Sequence, residues 1–245
     1  MYHVNLIIAK DPAEVGRLAA DIFQEIIAAK PDCVLGLATG STPLPLYREL
    51  IAREKDGKIN FSQCRSANLD EYKGLSGDHP QSYRYFMNEN LFNHISINPA
   101  NTMVPDGLCA DAEAMCADYE RAIEAMGGID IQLLGIGHDG HIGFNEPCDF
   151  FPAATHEVEL EEITRQANKR FFDSIDEVPT AAYTMGCGTV MAARKVLLIA
   201  TGKDKAEIVK QSFFGPVTPM VPASILQFHP DVTVIVDEAA ASLIQ

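Results

Sequence analysis

Several protein classes are excluded by what the sequence lacks. No apolar run approaches the roughly 20 residues a membrane-spanning helix needs. The opening Met1-Tyr2-His3-Val4-Asn5-Leu6 carries neither a basic segment nor a small-residue cleavage site. Together these absences predict a cytoplasmic protein with no membrane partner. The cysteines, Cys33, Cys64, Cys109, Cys116, Cys148 and Cys187, include no Cys-x-x-Cys pair, so they read as reduced, small apolar side chains rather than a disulfide or zinc framework. Basic residues are few: 19 Lys and Arg against 34 Asp and Glu leave a formal net charge of -15. That balance excludes a nucleic-acid surface, which needs clustered cations to displace counterions. Internal repeats and low-complexity linkers are missing as well, and 245 residues suffice for a single α/β domain spanning 1–245.

The acidity also constrains any small ligand. An anion would be repelled by the global field, so its site must supply local compensation from helix N-termini and a few placed cations.

What is present is an alternation of short aliphatic runs with helical patterns. Val4 to Ala9, Cys33 to Leu37, Ile129 to Leu134, Lys195 to Ala200 and Val232 to Val236 read as strands. Val15, Leu18, Ala19, Ile22, Phe23, Ile26 and Ile27 mark a helix, and further helices fit a stretch ending at Ile51, Ser82 to Phe92, and Ala110 to Met126 before Gly127-Gly128. The pattern predicts an α/β fold with a doubly wound, mostly parallel sheet flanked by helices, whose ligands sit at the carboxyl ends of the strands. Residues 150–179 break the rhythm with Glu157, Glu159, Glu161, Glu162, Arg165, Lys169 and Arg170, and read as a helical insertion or lid, or as an ordinary solvated surface helix.

Three loops carry candidate chemistry. Leu133 to Pro147 runs from a strand into a glycine-rich segment holding His138, Asp139, His141 and Glu146. Its Gly135-Ile136-Gly137-His138-Asp139-Gly140 matches the dinucleotide fingerprint formally, yet the loop continues to Pro147 instead of opening a helix. A metal cluster is the other alternative, although the His-x-x-His spacing fits neither a helical zinc site nor a Cys/His structural site. The second loop, Thr39-Gly40-Ser41-Thr42-Pro43, lies between a strand and a helix and offers hydroxyls for an N-cap and free N–H groups for phosphate. It lacks the Gly-Lys-Ser/Thr of a nucleotide-binding loop, and a capped helix with no further role explains it equally well. In the third, Asn68-Leu69-Asp70-Glu71-Tyr72, neighbouring side chains of an extended chain alternate. One carboxylate is therefore expected to face a site and the other to be structural.

Taken together, these loops resemble the glucosamine-6-phosphate deaminases over nearly the whole chain. The resemblance is carried by Leu35 to Pro43, Asn68 to Tyr72, and Gly135 to Pro147 with its Phe-Asn-Glu-Pro ending. It extends through Asn168 with Arg170-Phe171-Phe172, Thr184 with Gly186-x-Gly188-Thr189, Gly202-x-x-Lys205-Ala206, and Ser224-Ile225-Leu226-Gln227-x-His229. It implies a Rossmann-like fold and aldose–ketose isomerisation with deamination of D-glucosamine 6-phosphate, giving D-fructose 6-phosphate and ammonia in amino sugar catabolism. The family pattern makes Asp70 the proton acceptor at C1 and C2. His141 becomes the ring-opening group, with Asp139 and Glu146 orienting and tuning it. It assigns the substrate phosphate to Thr39, Gly40, Ser41, Thr42, Arg170 and Lys205, and it implies no metal and no cofactor. The partner is then a small amino sugar phosphate, and either a monomer or a homo-oligomer is compatible. Residues 148–158 carry acids where allosteric members place hydroxyls and cations, which implies no activation by N-acetylglucosamine 6-phosphate. Two other classes share related features. 6-Phosphogluconolactonases have a similar glycine-rich loop without Asn-Glu-Pro, and sugar-phosphate effector domains of regulators come with a basic DNA-binding segment that this chain lacks.

Overall fold

Val34-Leu35-Gly36-Leu37 and Ile131-Gln132-Leu133-Leu134 are buried at every position, the pattern of strands covered on both faces. The structure, a computed structural model, describes residues 4–160, 169 and 174–244. Its strands are β1 (Asn5–Ala9), β2 (Val34–Leu37), β3 (Arg65–Asn68), β4 (Asp70–Tyr72), β5 (Thr102–Met103), β6 (Ile131–Leu134), β7 (His156–Glu159), β8 (Ala181–Thr184), β9 (Lys195–Ala200) and β10 (Val232–Asp237). The helices are α1 (Pro12–Ala29), α2 (Leu44–Lys55), α3 (Tyr83–Asn90), α4 (Ala112–Ala125), α5 (Cys187–Met191) and α6 (Ala206–Phe214).

The main sheet has the order β1-β10-β9-β6-β2-β3-β5, and its paired strands are all parallel. From β2 the chain steps outward to β3 and β5, then returns to the other side of β2 as β6 and proceeds to β9 and β10. The winding direction therefore reverses between β2 and β6. Loops leaving their carboxyl ends diverge and open a crevice, the usual ligand position in such sheets. A second, antiparallel sheet of order β4-β8-β7 stands beside it.

Local chemistry explains the helix ends. Asp11 accepts from the Glu14 N–H at 2.8 Å ahead of Pro12, and one face of α1 buries Val15, Ala19, Phe23 and Ile27. Burial of each large apolar side chain on that face contributes roughly 1.5–3 kcal/mol. Gly127 and Gly128 take φ of 87° and 80° at the end of α4 and donate back to Glu124 and Ile123, as the glycine pair predicts.

Two expectations are corrected. The hydroxyls of Thr39, Ser41 and Thr42 do not cap α2: its N-cap is Pro43 and no side chain bonds there, because the chain enters the helix through a turn closed by Leu44 N–H on Ser41 O at 3.3 Å. Within 150–179, residues 156–159 form a strand, since His156-Glu157-Val158-Glu159 alternates in burial with the period of two that β7 needs against β8. Residues 161–168 and 170–173 of that segment lie outside the described residues. Strands β5 and β8 were not anticipated. The first is two residues long, and the second, Ala181-Ala182-Tyr183-Thr184, carries alanines and no long aliphatic run.

The motif Ser224 to His229 proves to be internal lashing. Ser224 Oγ donates to Thr218 O at 3.0 Å, Gln227 Nε2 to Ser212 O and Gly215 O at 2.9 and 3.0 Å, and His229 bridges Ala193 O and the Asp231 N–H. Glu71 plays a similar part at a helix end. Its carboxylate accepts the N–H groups of Tyr72, Tyr83 and Arg84 at 2.8–2.9 Å, the last two in the first turn of α3, where the helix dipole favours an anion. Glu71→Ala leaves those donors without their acceptor, so urea unfolding should show a loss of about 2–4 kcal/mol. A loss below about 0.5 kcal/mol would mean that Glu71 does not hold α3 in place.

Candidate active site

The carboxyl ends of β2, β3 and β6 enclose a cavity of about 270 Å³ lined by Ala38 to Thr42, Leu69, Asp70, Tyr83, Gly135 to Gly137, His141, Gly143 and Phe144. All three sequence-identified loops contribute to it. Of the residues singled out for catalysis or phosphate binding, Thr39, Gly40, Ser41, Thr42, Asp70 and His141 share this wall.

The Thr39–Thr42 turn lines the cavity with backbone donors to spare. Among the described residues, none of its four backbone N–H groups donates to another group. Gly40 takes φ of 99°, which only glycine adopts without strain. Tyr47, on α2, donates its hydroxyl to Ala38 O at 2.5 Å and fixes the start of the turn.

Asp70 and Glu71 diverge as the alternation of an extended chain requires. Glu71 turns toward α3, while Asp70 lines the cavity and is only 6% exposed. No hydrogen-bond donor among the described residues reaches the Asp70 carboxylate. Burial, with the like charge of Glu71 added, raises its pKa from the ordinary aspartate range to about 8. Such a group is a far stronger base than a solvated carboxylate once ionised.

His141 lines the same cavity. Its Nδ1 lies 2.7 Å from Asp139 Oδ1, in an ion-pair contact that falls off the line of an ideal hydrogen bond, and Asp139 Oδ1 also accepts the His141 N–H at 3.0 Å. Burial raises the Asp139 pKa, but the hydrogen bonds and charge of His141 outweigh that effect and hold it at about 2. Gly137 forms the floor beneath the imidazole: a Cβ there would sit 2.2–2.5 Å from the ring atoms. The loop is stapled from below, with Asn145 Nδ2 donating to Ile142 O and Met185 O at 2.8 Å and Thr184 Oγ1 accepting the Phe144 N–H at 3.0 Å.

The remaining candidates divide. Lys205, in the turn Lys203–Lys205, is not among the lining residues of the cavity but donates at 2.8 Å to the O of Ile136, which is; burial lowers its pKa. Glu146 lines a neighbouring cavity with Pro147, Cys148 and Phe150 and is not part of the wall shared by Asp70 and His141. Arg170 lies outside the described residues. Sequence reasoning passed over Tyr83 as a wall residue. It sits in the first turn of α3, packed against Tyr72 and Phe144 with ring centroids 4.8 and 6.1 Å away, and only tertiary packing brings that turn to β4.

A buried carboxyl of raised pKa and the imidazole of an Asp–His pair thus line one cavity of an α/β protein, beside a turn whose N–H groups take no partner among the described residues. The chain belongs to the family of glucosamine-6-phosphate isomerases and 6-phosphogluconolactonases, whose family model matches residues 12–235. It is 52% identical over 242 residues to the glucosamine-6-phosphate deaminase of Clostridium beijerinckii, covering 99% of this chain and 100% of that one. Against the deaminase of Lachnoclostridium phytofermentans it is 56% identical over 232 residues, covering 95% and 98%. A solved monomeric glucosamine-6-phosphate deaminase superposes with a TM-score of 0.94 at 46% identity, covering 98% of this chain and 100% of that one. The 6-phosphogluconolactonase of Trypanosoma brucei, at 19% identity and a TM-score of 0.77 over 100% of both chains, shares the fold.

The raised pKa of Asp70 has a consequence for stability. A carboxyl whose folded pKa of about 8 exceeds its unfolded value near 3.8 favours the fold while protonated, and that contribution is lost as pH rises from about 4 through 8. Asp70→Asn should therefore be more stable than the parent at pH 8.5, on the order of 1–3 kcal/mol, with a smaller gap at pH 5. Thermal unfolding at both values checks this, and an equal gap at both pH values would mean that the charge is not confined.

Proposed function

We propose that this chain catalyses the isomerisation and deamination of D-glucosamine 6-phosphate with water to D-fructose 6-phosphate and ammonia. One observation supports the reading: Asp70 and His141 line one cavity together with residues 39–42, whose N–H groups take no partner among the described residues. A lone anion-binding turn would serve a binding module. The added base and the Asp–His pair suit a reaction with two separate proton transfers.

The sugar enters as a closed ring. His141, oriented by Asp139, takes the proton of the anomeric hydroxyl and returns one to the ring oxygen, a step suited to an imidazole. Asp70 then removes the C2 proton of the open chain and delivers it to C1, passing through an enolamine. Water attacks the resulting imine at C2 and ammonia departs. Glu146 supports the His141 loop in this scheme. The phosphate is held by the Thr39, Gly40, Ser41 and Thr42 turn with Lys205 and Arg170, and its binding energy keeps C2 against Asp70, so these contacts serve turnover as well as affinity. A cavity at a strand-order reversal, reached by a negatively charged protein only through local donors, fits a substrate with its charge at one end.

Purified protein given glucosamine 6-phosphate without added metal should release ammonia and fructose 6-phosphate in equal amounts. Acid release from 6-phosphogluconolactone without ammonia from the amino sugar would overturn the assignment. Asp70→Asn should retain substrate binding but exchange no C2 deuterium with solvent, and parent-like exchange would remove Asp70 from the base role. His141→Gln should be slow on the closed ring, by about 10²-fold or more, yet recover on an open-chain analogue; equal losses on both substrates would place His141 outside ring opening.

A further inference from the structure

The glycine-rich loop and the turn carrying Lys205 leave the carboxyl ends of two paired strands, β6 and β9, and meet through a contact that the proposed chemistry does not use. His138 Nε2 lies 2.7 Å from Asp204 Oδ2, and His138 Nδ1 faces Lys205 Nζ at 3.5 Å. An ammonium has donors and no acceptor, so the nitrogen facing Lys205 is the lone-pair nitrogen and Nε2 carries the proton given to Asp204. The three side chains thus form a directed row, Lys205 to His138 to Asp204.

The far end of the same turn is tied down separately. The Gly202 N–H donates to the Asp237 carboxylate at 3.0 and 3.1 Å, and that carboxylate also accepts the Ala240 N–H at 2.8 Å. With one N–H of Lys205 on Ile136 O and a second toward His138, a third has no partner among the described residues. The ammonium is thereby aimed and still able to take one further acceptor.

We infer that His138, with Asp204, is a positioning residue that clasps the Lys205 turn onto the 135–141 loop and sets the direction of the ammonium toward the substrate phosphate. This rests on the reading of Lys205 as a phosphate contact. His138 and Asp204 are 70% and 61% exposed at their side chains, so the clasp acts on the placement of one cation and adds little to the stability of the fold. Neither side chain lines the cavity that holds Asp70 and His141, so proton transfer itself is left to those groups.

Steady-state kinetics with glucosamine 6-phosphate on the full chain separate the possibilities. His138→Ala and Asp204→Asn should each raise KM about threefold with a smaller fall in kcat, the size expected of an exposed pair. Lys205→Met should raise KM further, and the double variant His138→Ala/Lys205→Met should match Lys205→Met alone, because His138 acts only through Lys205. An unchanged KM in both clasp variants, with a raised KM in Lys205→Met, overturns the clasp and leaves the phosphate role standing. A double variant clearly worse than Lys205→Met also overturns it. An unchanged KM in Lys205→Met instead removes the phosphate role of Lys205, and the clasp falls with it.

Discussion

Strand β2 pairs with β3 on one side and β6 on the other, and the chain leaves their carboxyl ends in diverging directions. Everything at the site depends on that reversal. It creates a crevice without cutting into the core, so fully buried Leu35, Leu37, Ile131 and Leu133 support a mouth built from turns. Because the strands are parallel, the 38–43, 69–70 and 135–141 segments arrive at one edge, and residues distant in sequence line 270 Å³ of shared space. The strands themselves are closely packed: a Cβ on Gly36 would fall 2.2 Å from Gln132 Oε1, so a side chain there requires the Gln132 amide to move.

Within that frame the chemistry is divided by environment. Asp70 and Glu71 are adjacent carboxylates with opposite fates. Glu71 accepts backbone donors at the start of α3 and becomes part of the scaffold, while Asp70 receives none from the described residues and is raised by burial and by its neighbour. Asp139 is held low at about 2 by His141. Three acidic side chains thus sit in three environments, and the proposed mechanism uses them as anchor, base and orienter. In the proposed function the net charge of -15 is offset locally, by Lys205 and by N–H groups of the 39–42 turn that are unpaired among the described residues.

Much of this was legible in the sequence because the governing signals are local. Aliphatic runs such as Val232 to Val236 announced buried parallel strands, and the period-two rule separated the roles of Asp70 and Glu71. Glycine spacing marked the loop whose Gly137 lies against the His141 ring. What escaped depends on long-range pairing. Strand β8 is visible only through its partners β4 and β7, and β7 lies in a charged segment that reads as helical. Tyr83 reaches the cavity wall only because α3 packs on β4. The Thr39–Thr42 hydroxyls suggested a capped helix, yet the turn geometry gives the N-cap to Pro43 and leaves the N–H groups open. The His138–Asp204 contact spans 66 residues and had no signature in either loop.

In the proposed mechanism, burial beside a second carboxylate makes Asp70 the base. The pH dependence of kcat/KM in the parent and in Glu71→Gln tests it most directly, since removing the neighbouring charge should ease ionisation of Asp70. Activity in the parent should fall below an acidic limb near pH 8, and this limb should move to lower pH in Glu71→Gln. A limb near the ordinary aspartate value of about 4, or one that stays in place in the variant, would contradict it.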